Sequence, residues 1–333
     1  MTSIVQAVNG ILAEYDFPLT LRQIYYRLVS VNLIPNKRSA YNQLSKTLVK
    51  ARENGEVDDS RIEDRARQVL KAKEGYDDPN QFVDAVKGWF KSAGQRYNVN
   101  LWADQDVFLE VWVEKDALSR VIAQAADPYR VTICPSRGYS SYTYIKRMAI
   151  DDRLSDVDKP IIILDFRDHD PSGLQMTEDL QKRFTRYGGG IDVGCLDKNF
   201  LGIHFSDLFA GVGIPANITA KAVSDFRKKH PEANFGLNIT VQRVALTIDQ
   251  VKQYSLIPNP TKLADPRAKA YVAQYGDECW ELDAIEPSEL QRIVKDAIEE
   301  EMDLEAWAES REQEAKDRTS LIERFANTTI EVT

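Results

Sequence analysis

A chain of 333 residues, 43% of them apolar, is long enough for one large domain or two to three smaller ones with real cores. Its net charge of −9 argues against a simple DNA-coating protein, and no apolar run reaches the length of a membrane span. Cys134, Cys195 and Cys279 stand far apart and the histidines number three, which excludes a disulfide framework, a cysteine metal knuckle and a His-rich centre and implies a reducing cytoplasm.

The opening residues, Met1 to Gln6, lack the basic and apolar regions of a signal peptide. The charge is unevenly spread. From Pro18 to Lys73 twelve Lys/Arg stand against six Asp/Glu, whereas from Glu278 to Thr333 seventeen acids stand against six bases. A basic front end of this kind suits a polyanionic partner even in an acidic protein.

Residues 4–15 carry apolar positions at helical spacing. Thr20 and Gln23 form a capping box, which starts a second helix after Pro18. In it Leu21, Ile24, Tyr25 and Leu28 form the core stripe. At about 100° per residue, Tyr26 points away from that stripe, with Arg22 as its i,i+4 neighbour. Tyr25 is then the core tyrosine and Tyr26 the free one beside a cation. A third helix, Ser39 to Asn54, ends at Gly55 and turns Tyr41, Leu44 and Leu48 inward. Lys46 and Lys50 lie on its outer face, with Lys37 and Arg38 just before it. Val57 to Arg67 forms a short wing carrying Arg61, Arg65 and Arg67. Three helices, a wing and a basic last helix read as a winged helix. A protein-binding winged helix, or a plain helical bundle with a solvated basic face, is the alternative.

Residues 76–104 read as a helical connector with Phe82, Val86, Trp89 and Phe90. Strands then alternate with helices: a strand over 107–113, a helix over 116–126, a strand over 131–135, a polar helical stretch, and the strong strand Ile161–Leu164. A helix over 174–184, a turn at Gly188, Gly189 and Gly190 and a strand at Ile191–Cys195 follow. That alternation predicts a parallel sheet, whose sites form at the carboxyl ends of strands. Glu114 ends the first strand in Val111-Trp112-Val113-Glu114-Lys115, and Asp168 and Asp170 follow Ile161–Leu164 in Asp165-Phe166-Arg167-Asp168-His169-Asp170-Pro171-Ser172-Gly173. Crowded carboxylates repel and need protons or a metal, and magnesium accepts a few carboxylates beside waters or phosphate oxygens. Aspartates before a helix often only cap it. Glu114, in register at a second strand end, turns the reading toward a divalent cation. Asp165 lies within its strand, His169 reads as a spacer facing solvent or the sheet edge, and Lys115 reaches either a phosphate or the neighbours Asp116 and Glu110. The span with Pro258, Pro260 and Pro266 reads as an extended surface segment, and the tail from Pro287 to Phe325 as helical, with an acidic face from Glu299 to Glu305.

These motifs resemble a known family. Glu114 with Asp168-x-Asp170-Pro171-x-Gly173 is similar to a Toprim domain. Arg22-Gln23-Ile24-Tyr25-Tyr26 resembles the tyrosine motif of the topoisomerase VI A subunit and of the meiotic double-strand-break protein. Pro135-Ser136-Arg137-Gly138-Tyr139 resembles the Gly-Tyr loop after the second Toprim strand. The likeness covers roughly residues 18–200, in the order winged helix then Toprim. Ser172 stands where the family often has an aromatic, and no Walker motif occurs. The pattern and the resemblance together predict an α/β fold in four segments: a winged-helix (CAP-like) domain at 1–75, a connector at 76–104, a Toprim domain with a parallel sheet at 105–276, and an acidic helical tail at 277–333. The resemblance implies that Tyr26 attacks a DNA phosphate and stays on the 5′ end, with Arg22 steadying the charge. Glu114, Asp168 and Asp170 would hold magnesium, or manganese in its place. Lys37, Arg38, Lys46, Lys50, Lys115 and Arg137 would bind DNA. The expected partners are double-stranded DNA, a second copy whose metal site serves the first copy's tyrosine, and a separate ATPase subunit for strand passage. The expected location is the nucleoid within the cytoplasm, with no membrane. The competing expectation is a Toprim nuclease of a mobile element or defence system, which hydrolyses DNA without a covalent intermediate.

Overall fold

The computed structural model describes residues 2–63, 75–136, 138, 140–188 and 237–326. They fall into two compact units, Met1–Ala66 with Phe108–Ile298, and Arg67–Val107 with Glu299–Thr333. Grouping in space thus differs from order along the chain. The connector stretch belongs with the last helix, and the stretch just before that helix belongs with the sheet.

The first unit begins with α1 (Thr2–Ala13), α2 (Leu21–Ser30) and α3 (Arg38–Glu53). The capping box is present: Thr20 N donates to Gln23 Oε1 at 2.8 Å and Gln23 N donates to Thr20 Oγ1 at 3.3 Å, which satisfies amides the first turn leaves open. Leu44, Leu48 and Ala51 form the inner face of α3. Gly55 follows that helix with φ +72°, a conformation glycine adopts without strain. A two-residue strand β1 (Leu19–Thr20) pairs in parallel with β2 (Ile62–Glu63). The expected wing is described only as far as Glu63, as a 3-10 turn over Asp59–Arg61 and then β2. Arg65 and Arg67 lie outside the described residues.

The main sheet is parallel, in the order β4-β3-β5-β6: β3 (Phe108–Val113), β4 (Thr132–Pro135), β5 (Ile161–Phe166) and β6 (Ile239–Ala245). Every residue of β5 is buried, as a continuous apolar run covered on both faces requires. A π-helical stretch, Tyr144–Leu154, and the helix Pro171–Gly188 share a core with β3 and β5. There the Trp112 ring meets Tyr144 at 5.4 Å and Phe184 at 5.2 Å. Within that core the fully buried Glu110 accepts from Trp112 Nε1 and Arg153 Nε, each at 2.9 Å, so its charge is matched. The sequence reading had no strand at β6. The strand expected at Ile191–Cys195, Gly189, Gly190 and Cys195 all lie outside the described residues. Two further short strands, β7 (Asn259–Pro260) in the Pro-rich span and β8 (Glu278–Cys279) beyond it, pair antiparallel.

The second unit is helical. A helix Pro79–Lys91 and a turn at Gly94–Arg96 pack on the helix Leu304–Ala326, with Phe90 and Phe325 rings 5.0 Å apart and Trp102 and Trp307 rings 5.7 Å apart. A Cβ on Gly94 would lie 2.7 Å from the Ile322 nitrogen, so that crossing admits only glycine. No described helix is long and apolar enough to cross a membrane.

Candidate active site

Parallel register sets Trp112 opposite Asp165 and Val113 opposite Phe166. Glu114 therefore leaves β3 beside the exit of β5, and its amide donates to the Phe166 carbonyl at 3.0 Å. Burial and the charge of Asp168 raise the Glu114 carboxyl above the usual range, with a smaller push from Asp170. The three acidic residues expected to act together thus feel one another. Glu114 Oε2 is buried without a hydrogen-bond partner. The other two are engaged. Asp168 accepts from the Leu282 amide at 2.8 Å and pairs with Lys115 Nζ at 2.8 Å. Asp170 accepts from the Gly173 amide at 2.6 Å and so caps the helix Pro171–Gly188. Among the described residues no three His, Cys, Asp or Glu side chains stand ready to hold a metal. The feature that fits a cation is the spare buried oxygen of Glu114, whose carboxyl feels the charge of Asp168.

The floor of the site is rigid. Asp165 and Arg167 are buried and paired through Nε at 2.8 Å, and Thr177 Oγ1 donates to Asp165 at 2.6 Å. Arg243 of β6 donates to the carbonyls of Asp168 at 2.6 Å and Gly173 at 3.1 Å, clamping the acidic loop from a strand the sequence reading missed. A Cβ on Gly173 would sit 2.2 Å from the Asp168 carbonyl oxygen. Gly173→Ala is therefore expected to cost about 1–3 kcal/mol or more by overpacking. Urea unfolding measures this, and an unchanged midpoint would contradict the close approach.

His169 is not a solvent-facing spacer. It is buried, its Nδ1 lies 2.9 Å from the Tyr271 hydroxyl, and its backbone pairs with Trp280 at 2.9 and 3.0 Å. Burial, aided by Arg243, lowers its pKa to about 4, so the ring is neutral at physiological pH. That pairing fixes the segment Trp280–Ala284 against the acidic loop.

Tyr26 is the second correction. The helical wheel made it the free tyrosine, yet it is buried like Tyr25. The reason is a second covered face: the turn Leu282–Ala284 packs on α2. Asn259 of β7 donates to the Tyr26 hydroxyl at 3.3 Å. Arg22 does lie beside Tyr26 as expected, 5.8 Å from the ring centroid. Burial raises the Tyr26 phenol above its ordinary value, while Asn259, Arg22 and Lys115 act in the opposite direction. Arg22 pairs with Glu281 and lies 3.3 Å from Asp283. Lys115 lies 2.7 Å from Asp283, 3.1 Å from Glu281 and 2.8 Å from Asp168. Burial opposes the Lys115 charge, but Asp283 and Asp168 more than reverse this and raise its pKa. The motifs of α2, β3 and β5 thus meet in one charge network, Arg22–Asp283–Lys115–Asp168, within a single chain.

No family model, curated protein or solved structure matches this chain.

The candidate DNA-binding residues divide. Lys37, Arg38, Lys46 and Lys50 are exposed on and before α3. Lys115 belongs to the charge network with Asp168, Glu281 and Asp283. Arg137 lies outside the described residues, as does Tyr139. Sequence reasoning missed Asn259, Glu281, Asp283 and Arg243. Glu281 and Asp283 carry a local signal in Trp280-Glu281-Leu282-Asp283, where acidic residues alternate with apolar ones as at an edge between core and solvent, and Arg243 stands in a run of β-branched residues.

Proposed function

We propose that this chain cleaves double-stranded DNA by tyrosyl transesterification, in the manner of a topoisomerase VI A subunit. In this reading a winged-helix segment carries the tyrosine, and a Toprim-like sheet carries the acidic residues. Two copies act together, with a separate ATPase subunit where strands are passed, at the nucleoid. The observation that carries the reading is the network joining Arg22, beside Tyr26, to Asp168 at the end of β5 through Asp283 and Lys115. In this reading Tyr26 works with the acidic residues of its own chain and each copy cuts one strand, rather than the tyrosine of one copy meeting the metal site of the other as the resemblance implies.

In the reaction, the Tyr26 oxygen bonds to phosphorus while the bond from phosphorus to the 3′ oxygen breaks. The phenolic proton departs, and the 3′ oxygen takes one up. Arg22 and Lys115 favour the phenolate, and Arg22 offers donors to the charge that grows on the phosphoryl oxygens. Exposed Lys37, Arg38, Lys46 and Lys50 hold the duplex by its phosphates. Glu114, with its spare oxygen, and Asp168 would hold magnesium, which neutralises charge on a phosphodiester when bound.

The competing reading, hydrolysis at the acidic strand ends alone, draws on one observation: the Tyr26 phenol is buried and its pKa is raised. Covalent trapping separates the two. Protein, supercoiled plasmid and magnesium are mixed, stopped with detergent and assayed for DNA bound to protein. Wild type should give a 5′ linkage that Tyr26→Phe loses completely. Equal yields of free ends from both proteins would establish hydrolysis instead.

A further inference from the structure

Arg22 and Lys115 lie together, although like charges repel, because two carboxylates of one short segment bridge them. The two carboxylates are not equivalent. The Asp283 side chain is 0% exposed, and it lies 3.3 Å from Arg22 Nε and 2.7 Å from Lys115 Nζ. The Glu281 side chain is 25% exposed and meets the same two cations, pairing with Arg22 and lying 3.1 Å from Lys115. Arg22 is itself 38% exposed and Lys115 22% exposed, so solvent reaches the cations on the Glu281 side and not on the Asp283 side.

We propose that Arg22 and Lys115 form a phosphate subsite whose resting occupant is the Glu281 carboxylate, while Asp283 is a fixed positioning residue that holds the two cations together. The inference rests on the reading of the site as one for DNA phosphates. Arg22, Lys115, Asp168, Glu281 and Asp283 carry two positive charges against three negative ones. A phosphodiester carries one negative charge, so its exchange for Glu281 leaves the balance unchanged. Carboxylate and phosphate also present comparable oxygens to an arginine fork, and one can stand in for the other without moving the guanidinium. Glu281 can leave toward water, whereas Asp283 has no such path. Removing Asp283 would leave the cations to repel, whereas removing Glu281 would free the place an incoming phosphate takes.

The test is duplex binding by the full chain in chelator, followed by fluorescence anisotropy at fixed salt. Glu281→Gln removes the internal competitor but keeps its shape, and Glu278→Gln on β8 removes an exposed acid nearby as the control for general charge. Glu281→Gln should tighten binding roughly five- to tenfold beyond Glu278→Gln, and the gain should vanish when Arg22→Gln is added, since the two residues share one interaction. Glu281→Ala, which vacates the space as well, should repeat the effect. A gain no larger than the control's, or one that persists beside Arg22→Gln, overturns the proposal. Inorganic phosphate separates it from the DNA reading. Phosphate that raises the Tm of Glu281→Gln more than that of wild type, with no duplex bound by any protein, upholds the subsite and removes DNA as its ligand. Duplex bound equally by wild type and Glu281→Gln leaves DNA as the ligand and overturns the subsite.

Discussion

Replacing Lys115 by methionine is expected to destabilise the sheet-bearing unit by about 3–5 kcal/mol, because it leaves Asp168 without its cation and the buried Asp283 with Arg22 alone. Lys115 Nζ lies within 3.1 Å of Asp168, Glu281 and Asp283, and the Asp283 side chain is wholly buried. Arg22 reaches Glu281 and Asp283 from α2, but Asp168 has only the Leu282 amide besides Lys115 among its hydrogen bonds described here. Methionine is unbranched and close to the lysine stem in length and apolar bulk, so the loss reports mainly charge rather than packing. Magnesium should return part of the stability to Lys115→Met and less to wild type, since a divalent ion that binds only the folded form adds its binding free energy. Urea unfolding with and without magnesium reads both effects. A variant as stable as wild type would show that the three contacts carry no net energy, and stability restored equally in both proteins would argue against Glu114 and Asp168 as the ion's holders.

What could be read from the sequence was what depends on neighbours along the chain. Thr20 with Gln23 marked the start of α2, and the apolar run Ile161–Leu164 marked β5 with Asp168 and Asp170 beyond its end. Both are set by spacings of a few residues, and both are present. The parallel sheet followed from the alternation of strands and helices. Tyr26 was misread for a definite reason. A helical wheel ranks positions against one buried face, and α2 is covered on a second face by a turn some 256 residues later. The same distance hid Glu281 and Asp283, whose partners Arg22 and Lys115 gave no local hint of them. Arg243 sits in a run of β-branched residues, Ile239, Thr240, Val241 and Val244, that did carry a strand signal. The turn at Gly188 to Gly190 places the next strand earlier, at Ile191–Cys195. His169 looked like a spacer because its partners Tyr271 and Trp280 are about a hundred residues away.

Arg167→Met should cost a similar 3–5 kcal/mol, but with a different remedy. Arg167 is buried to 1% exposure, and its Nε reaches both oxygens of the fully buried Asp165 at 2.8 Å. Without it, Asp165 keeps the Thr177 hydroxyl at 2.6 Å and the charge of Arg243, its register partner in β6, but loses the bidentate contact of its own guanidinium partner. Taking the charge away as well should recover most of the loss, so Asp165→Leu with Arg167→Met should be markedly more stable than Arg167→Met alone. The pair does not therefore stand in the fold for its energy. The other end of Arg167 donates to Ser136 Oγ at 3.1 Å, tying the end of β4 to the end of β5 beneath Asp168 and Asp170. That tie is what the apolar double variant lacks. On the proposed reading of the chain as a DNA-cleaving enzyme, the double variant should consequently fold, yet cleave plasmid far more slowly than wild type under the trapping conditions. Denaturant unfolding and plasmid cleavage together decide the matter. A double variant that folds and cleaves normally would mean that the Asp165–Arg167 pair is dispensable to the site, and one no more stable than the single variant would mean that Asp165 is matched by groups other than Arg167.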